Sequence, residues 1–149
     1  MKIARYVLAV LLLCFSSFSA AARDEFFMFS ISGAMNSPEA QGISQNQVKV
    51  FFANQGHPQV LTDLGQRQIT KKTHSPAQGD RLACLQAFFG AVVELQDLAT
   101  RTGGNAVVGI HSDYKHVPAK SASQYVCGSG KVTARVVLTG RIVRVGGKL

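Results

Sequence analysis

Three side chains that can bind metal ions lie close together in the second half of the chain: His111, Asp113 and His116. Imidazole nitrogens and carboxylate oxygens are common ligands of zinc and related metals. His111 and Asp113 share one face if the strand predicted just before them continues, because side chains in a strand alternate. His57 and His74 lie in predicted loops. Zinc ligands are usually more tightly spaced, so exposed polar residues beyond a strand end are the competing interpretation.

A second group of polar residues near the C-terminus is basic. Arg135, Thr139 and Arg141 alternate with apolar residues, which places them on one face of a predicted strand. A cationic face can contact anionic polymers or lipid. No set of aromatic residues is interleaved with these cations, as a platform for stacked bases would require. We therefore predict no nucleic-acid binding, and we take Arg135 and Arg141 as candidates for contact with an anionic surface, with a solvated face as the alternative.

The sequence lacks the common signatures of nucleotide binding and of nucleophilic catalysis. Residues 128–131 and 146–149 contain Gly-Lys, but neither stretch has the first glycine and the following Ser or Thr of a phosphate-binding loop. No G-x-S-x-G sequence is present. We predict a protein that is not an enzyme and has no catalytic residue and no cofactor. A hydrolase with an unrecognised site is the alternative.

The first 22 residues have the three parts of a secretory signal peptide. Lys2 and Arg5 form a basic start, residues 7–18 form a short apolar run, and Ala20 and Ala22 occupy the small-residue cleavage positions. The apolar run is shorter than the roughly 20 residues of a membrane span. We expect cleavage after Ala22, a periplasmic or secreted product, and no transmembrane segment in it.

The cysteines fit an oxidising compartment. Cys14 lies inside the apolar run after Leu13, whereas lipoprotein processing usually needs a small residue there, so we expect a soluble product. Cleavage leaves Cys84 and Cys127, and an even count in an exported chain indicates a disulfide. A redox pair, a metal site or two buried thiols are the alternatives, although no C-x-x-C spacing supports redox catalysis.

Length and composition favour one globular domain. The chain has 149 residues, a net charge of +8, 46% hydrophobic and 16% charged residues. We predict a signal peptide over 1–22, an N-terminal segment over 23–47 with a short helix at Pro38–Ala40, and a single α+β domain over 48–149.

The predicted fold is a small, mostly antiparallel sheet covered on one face by one long helix and carrying the disulfide. A broad apolar face predicts the helix over about 81–102, with Asp80 as its N-cap and Gly103 or Gly104 at its C-terminal end. Gly140 indicates a bend or bulge in the last strand. Residues 26–31 are either a strand or the start of a buried helix. Further strands are predicted at 48–52, 66–73, 106–110, 125–127 and 131–145.

Three stretches carry a resemblance to known families: the helix start at 80–84, GGNAVVGIHSDYK at 103–115, and YVCG at 125–128 before an alternating strand that includes Gly140. Together they resemble small exported proteobacterial proteins that are often mislabelled as the excinuclease ABC ATPase, although they lack any ATPase machinery. They are also similar to the YbjQ-like group, described as heavy-metal-binding, and to the Rcs envelope stress-sensor lipoprotein. The resemblance spans roughly 48–145.

The resemblance implies a compact α+β domain, homo-oligomers, disulfide-dependent folding through Cys84 and Cys127, and protein partners. This chain departs from the stress sensor at Asp113, where the sensor pattern has a nearby cysteine. The expected function is therefore an exported, non-enzymatic binding or protein-interaction module. Its expected partners are envelope proteins or anionic envelope polymers, and a metal-binding periplasmic protein is the alternative.

Overall fold

The structure is a computed structural model that describes residues 24–74 and 79–147. The predicted signal peptide lies outside the described residues. Strands and helices follow one another as β1 (Asp24–Ser30), α1 (Ile31–Met35), a 3-10 turn (Pro38–Ala40), α2 (Gln41–Ser44), β2 (Lys49–Phe52), β3 (Val60–His74), α3 (Asp80–Thr102), β4 (Ala106–Tyr114), β5 (Val117–Ala119), β6 (Gln124–Gly130) and β7 (Thr133–Val145).

The long helix α3 forms where the apolar pattern predicts it. Gly103 ends the helix in the left-handed conformation, with φ of 80°, which a glycine adopts without a steric penalty. The Arg144 guanidinium donates hydrogen bonds of 3.2 and 2.9 Å to the Gly103 carbonyl. The predicted N-cap is wrong by one residue, since Gly79 is the N-cap and Asp80 is the first helical residue. The Asp80 carboxylate instead accepts a 2.5 Å hydrogen bond from the Ser129 hydroxyl of β6.

The strands form one sheet of seven, in the order β1-β6-β7-β4-β2. Strand β3 pairs with β7, and the short β5 pairs with β4. The sheet is mixed, because β2 runs parallel to β4, and the prediction of a mostly antiparallel sheet is corrected accordingly. The chain between β2 and β4 includes both β3 and α3, and a connection of this length allows the second strand to return in the same direction as the first.

A disulfide joins α3 to the sheet. Cys84 in the first turns of the helix bonds to Cys127 of β6, with Cα atoms 5.8 Å apart, and both residues are fully buried. One turn further along α3, the Phe88 ring stacks on Tyr125 of β6 with centroids 4.1 Å apart. The predicted α+β fold with one long helix and a disulfide is confirmed in these respects.

The position of Cys127 identifies the two faces of the sheet. Val136 of β7 lies opposite Cys127, and directly opposed residues point to the same side. Even-numbered residues of β7 therefore face α3, whereas Arg135, Val137, Thr139, Arg141 and Val143 lie on the other side. We call this side the open face, although Val137, Thr139 and Val143 are buried there and only the two arginines are exposed. Gly140 faces the helix side, and the extra residue of the local bulge lies in β4. Gly140 permits close packing, since a Cβ there would lie 2.7 Å from Cγ1 of Val107.

The N-terminal segment is integrated into this fold. All seven residues of β1 pair with β6, and the predicted short helix is a 3-10 turn at Pro38–Ala40. The buried Gln96 amide of α3 donates hydrogen bonds to the carbonyls of Ile43 (3.2 Å) and Val48 (2.8 Å). These bonds hold the segment against the helix.

Helix α3 is the one apolar helix of membrane-spanning length among the described residues. By length and composition alone it could span a membrane, and half of its most apolar window is buried inside the fold. A core helix of a soluble protein passes the same test. Its buried residues are Ala83, Cys84, Ala87, Phe88, Ala91, Val92, Leu95, Gln96 and Ala99.

Candidate functional site: a cleft on the open face

A β-bulge in β4 determines which side chains reach the open face. Val108 of β4 pairs with Arg141 of β7, and His111 pairs with Thr139. Two residues of β4, Gly109 and Ile110, therefore oppose a single residue of β7, Gly140. Gly109 takes a left-handed φ of 64°. The extra residue shifts the alternation of the strand. Ile110 therefore enters the core under α3, and His111 points to the open face.

The bulge also fixes the orientation of the His111 ring. Its Nδ1 lies 2.8 Å from the carbonyl oxygen of Gly109. Because the carbonyl can only accept, Nδ1 carries the proton in this hydrogen bond, and Nε2 remains as the ring nitrogen for a ligand. The strand continues to Tyr114, so His111 and Asp113 do share a face, as the sequence predicts.

Asp113 is engaged in a polar network with the neighbouring strands. Its Oδ2 accepts a 2.5 Å hydrogen bond from Nε2 of Gln68 and a longer one, at 3.4 Å, from Oγ1 of Thr139. The same Gln68 nitrogen lies 3.3 Å from Oγ1 of Thr139. Gln68 and Thr139 pair across β3 and β7. The Asp113 carboxylate is therefore hydrogen-bonded to other residues of the protein, although it lies next to His111.

A cleft of about 480 Å³ opens beside His111 on the open face. A volume of this size is within the usual range for small-molecule sites. The only charged side chains among its described lining residues are Lys120 and Arg141, and both are cationic. The lining consists of Ala53, Asn54, Gln66, Val108, Gly109, His111, Lys120, Thr139, Gly140 and Arg141.

The two arginines predicted to contact an anionic surface occupy different parts of the open face. Arg141 lines the cleft, and its Nη1 lies 3.6 Å from a carboxylate oxygen of Asp63, with both side chains about half exposed. An exposed pair of this kind is weak, so a ligand can compete for the guanidinium. Arg135 lies six residues earlier in β7, opposite Lys72 of β3 and Gly128 of β6.

The three metal-ligand candidates are not gathered into one site. His116 lies with Lys115 in the two-residue turn between β4 and β5, where both have positive φ, and it is exposed. Within residues 24–74 and 79–147, no group of three or more His, Cys, Asp or Glu side chains could hold a metal ion. Metal binding by His111, Asp113 and His116 stays a prediction without a supporting geometry.

Sequence reasoning missed most of the cleft. Gln66, Asn54 and Lys120 come from parts of the chain without a recognisable motif, and only the strand pairing brings them together. One signal was available, since an isolated glycine inside an apolar strand often marks a bulge, and Gly109 stands between Val108 and Ile110. Ala53 at the rim has φ of 46°, an uncommon conformation for a residue with a Cβ.

Comparisons with known proteins give one structural neighbour. It is the crystal structure of a protein of unknown function of the DUF74 family from Pediococcus pentosaceus ATCC 25745, with a TM-score of 0.46 and 12% sequence identity. The match covers 68% of this chain and all of the other. No family model matches the sequence, and no curated protein matches it.

Proposed function

We propose that the protein is an exported, non-enzymatic binding module of the cell envelope, which holds an anionic group of a small molecule or polymer in the open-face cleft. The observation that carries this proposal is the cleft itself, whose charged lining residues, Lys120 and Arg141, are both cationic. Export is supported by the signal-like residues 1–22 and by the disulfide between two fully buried cysteines.

The chemistry of the cleft suits a carboxylate or a phosphate. A guanidinium presents a planar set of donors that matches two oxygens of either group, and an ammonium adds a mobile positive charge. Thr139 and His111 lie in the same wall of the cleft. Binding therefore needs no covalent step. The ligand replaces Asp63 as the partner of Arg141.

Binding is tested by NMR on the mature protein, with inorganic phosphate, citrate and an oligogalacturonate as probes and maltotetraose as the neutral control, all at constant ionic strength. We expect saturable shifts centred on His111, Thr139 and Arg141 for at least one anion. Arg141→Gln should weaken that affinity about tenfold, because a hydrogen bond to a charged group contributes roughly 1.5–3 kcal/mol. Arg101→Gln, at the exposed end of α3, is the matched control.

Two results would overturn this function. Either none of the anions binds, or both arginine variants lose affinity equally, which would show only general attraction to a basic protein. Export is tested separately by the intact mass of the protein from a periplasmic extract. The expected mass begins at Arg23 and is two hydrogens lighter than the dithiol form. A product that retains residues 1–22 would contradict export.

A further inference from the structure

One end of the open face exposes large apolar side chains next to cations. Phe26 and Met28 alternate along β1 with residues that face α3, and they are 71% and 54% exposed. Val132, in the turn between β6 and β7, is 58% exposed. Large apolar side chains that cluster at the surface usually mark an interaction site.

The strand register places basic residues beside this apolar group. Phe26 pairs with Gly128 of β6, Gly128 pairs with Arg135 of β7, and Arg135 pairs with Lys72 of β3. These four residues form one row across the open face, with neighbouring strands about 4.8 Å apart. Lys131 lies next to Val132 at the same end of the sheet, and Lys72, Lys131 and Arg135 are all exposed.

An aromatic ring completes the surface. A Cβ at Gly128 would collide with the Tyr114 ring, so Tyr114 lies across Gly128, between Phe26 and Arg135 in the row. Nζ of Lys115 lies 5.7 Å from the centre of the same ring. We call this surface the β1 patch. It consists of Phe26, Met28, Lys72, Tyr114 and Arg135 on the open face, together with Lys131 and Val132 in the turn at the same end of the sheet.

We propose that the β1 patch docks the protein onto an anionic lipid bilayer. Exposed Phe and Met side chains enter the interface between head groups and acyl chains, and flanking Lys and Arg side chains are attracted to anionic head groups. A tyrosine ring suits the same boundary, since it is apolar with a polar tip. The charge of the patch therefore selects a lipid surface over an uncharged apolar partner. This proposal depends on the proposed function in one respect, since export places the protein in the compartment where it meets the bilayer.

The experiment is co-sedimentation of the mature protein with vesicles of phosphatidylcholine alone or mixed with phosphatidylglycerol. We expect binding to the mixed vesicles that weakens as salt is raised. Phe26→Ser with Met28→Ser should reduce the affinity about tenfold or more, because each exposed side chain loses its transfer from water. Lys131→Gln with Arg135→Gln should remove the preference for the anionic vesicles. All four positions are exposed, so these variants keep the fold.

Two controls separate docking through the β1 patch from general apolar adhesion and from binding in the cleft. Leu61 is 62% exposed at the opposite end of β3, so Leu61→Ser removes exposed apolar area elsewhere and should leave vesicle binding unchanged. Arg141→Gln should also leave it unchanged, whereas the β1 patch variants should keep binding of the anionic probe in the cleft. The two functions can then fail independently.

The proposal is overturned if the mixed vesicles are not bound, or if Leu61→Ser weakens binding as much as the patch variants do. It is also overturned if light scattering shows a dimer that Phe26→Ser dissociates while vesicles are not bound. That result would assign the patch to a second copy of the chain.

Discussion

His111 faces the open side of the sheet because Gly109, two residues earlier, holds a left-handed backbone conformation. A β-carbon at position 109 would meet no atom within 4 Å, so the effect of a substitution there comes from the backbone alone. We expect Gly109→Ala to lower the free energy of unfolding by about 1–2 kcal/mol, the usual penalty for a left-handed L-residue. Urea denaturation followed by circular dichroism measures this loss.

Gly56→Ala is the matched control for the bulge. A Cβ at Gly56 also meets nothing within 4 Å, and the backbone there is not left-handed. Its stability should stay within about 0.5 kcal/mol of the parent protein. Equal losses in the two variants would contradict the strain assigned to Gly109. Amide shifts of His111 should change only in the Gly109 variant, since its ring is bonded to the Gly109 carbonyl.

The Cys84–Cys127 bond should contribute substantially to stability. It closes a loop with a sequence separation of 43, for which the chain-entropy model gives about 4 kcal/mol. We expect the double variant Cys84→Ala with Cys127→Ala to lose up to this amount, measured by urea denaturation without reductant. Reductant should lower the urea midpoint of the parent protein and leave the double variant unchanged. A double variant as stable as the oxidised parent would contradict this role.

The sequence predicts α3 and most strands because each depends on a local pattern, and it predicts the disulfide because export leaves an even number of cysteines. The apolar face of residues 81–102 and the alternation from Lys131 onward can be read without knowing the fold. The cleft depends on long-range pairing instead, since Gln66, His111 and Arg141 come from three strands. The sequence does not predict the parallel pairing of β2 with β4 either, because the pattern of a short apolar strand is the same for parallel and antiparallel pairing.

Gly140 should not tolerate a side chain. A Cβ there would lie 2.7 Å from Val107 Cγ1 and 3.1 Å from Ile110 Cγ1, and both side chains are fully buried in an interior that packs closely. We expect Gly140→Ala to cost about 1–3 kcal/mol through overpacking. Thermal denaturation is the measurement. In a Val107→Ala background, Gly140→Ala should cost less stability than it does in the parent protein. Equal costs in the two backgrounds would contradict the contact.

Tyr125 should make stability fall at high pH. Burial against Phe88 raises the pKa of its phenol to about 12, and the nearby Arg81 guanidinium opposes this only in part. The folded state keeps the proton up to about pH 12, whereas the unfolded state loses it near pH 10. The stabilisation is therefore complete below pH 10 and is lost as the pH rises from 10 to 12, by up to about 2–3 kcal/mol.

The control for this pH dependence is Tyr125→Phe, which keeps the ring stacked on Phe88 and removes the titrating group. Urea denaturation at several pH values between 9 and about 12 should show a steeper decline in the parent protein than in the variant. The difference between the two curves removes the contribution of lysines, which titrate in the same range. Parallel curves would mean that the Tyr125 phenol ionises equally easily in the folded and unfolded states.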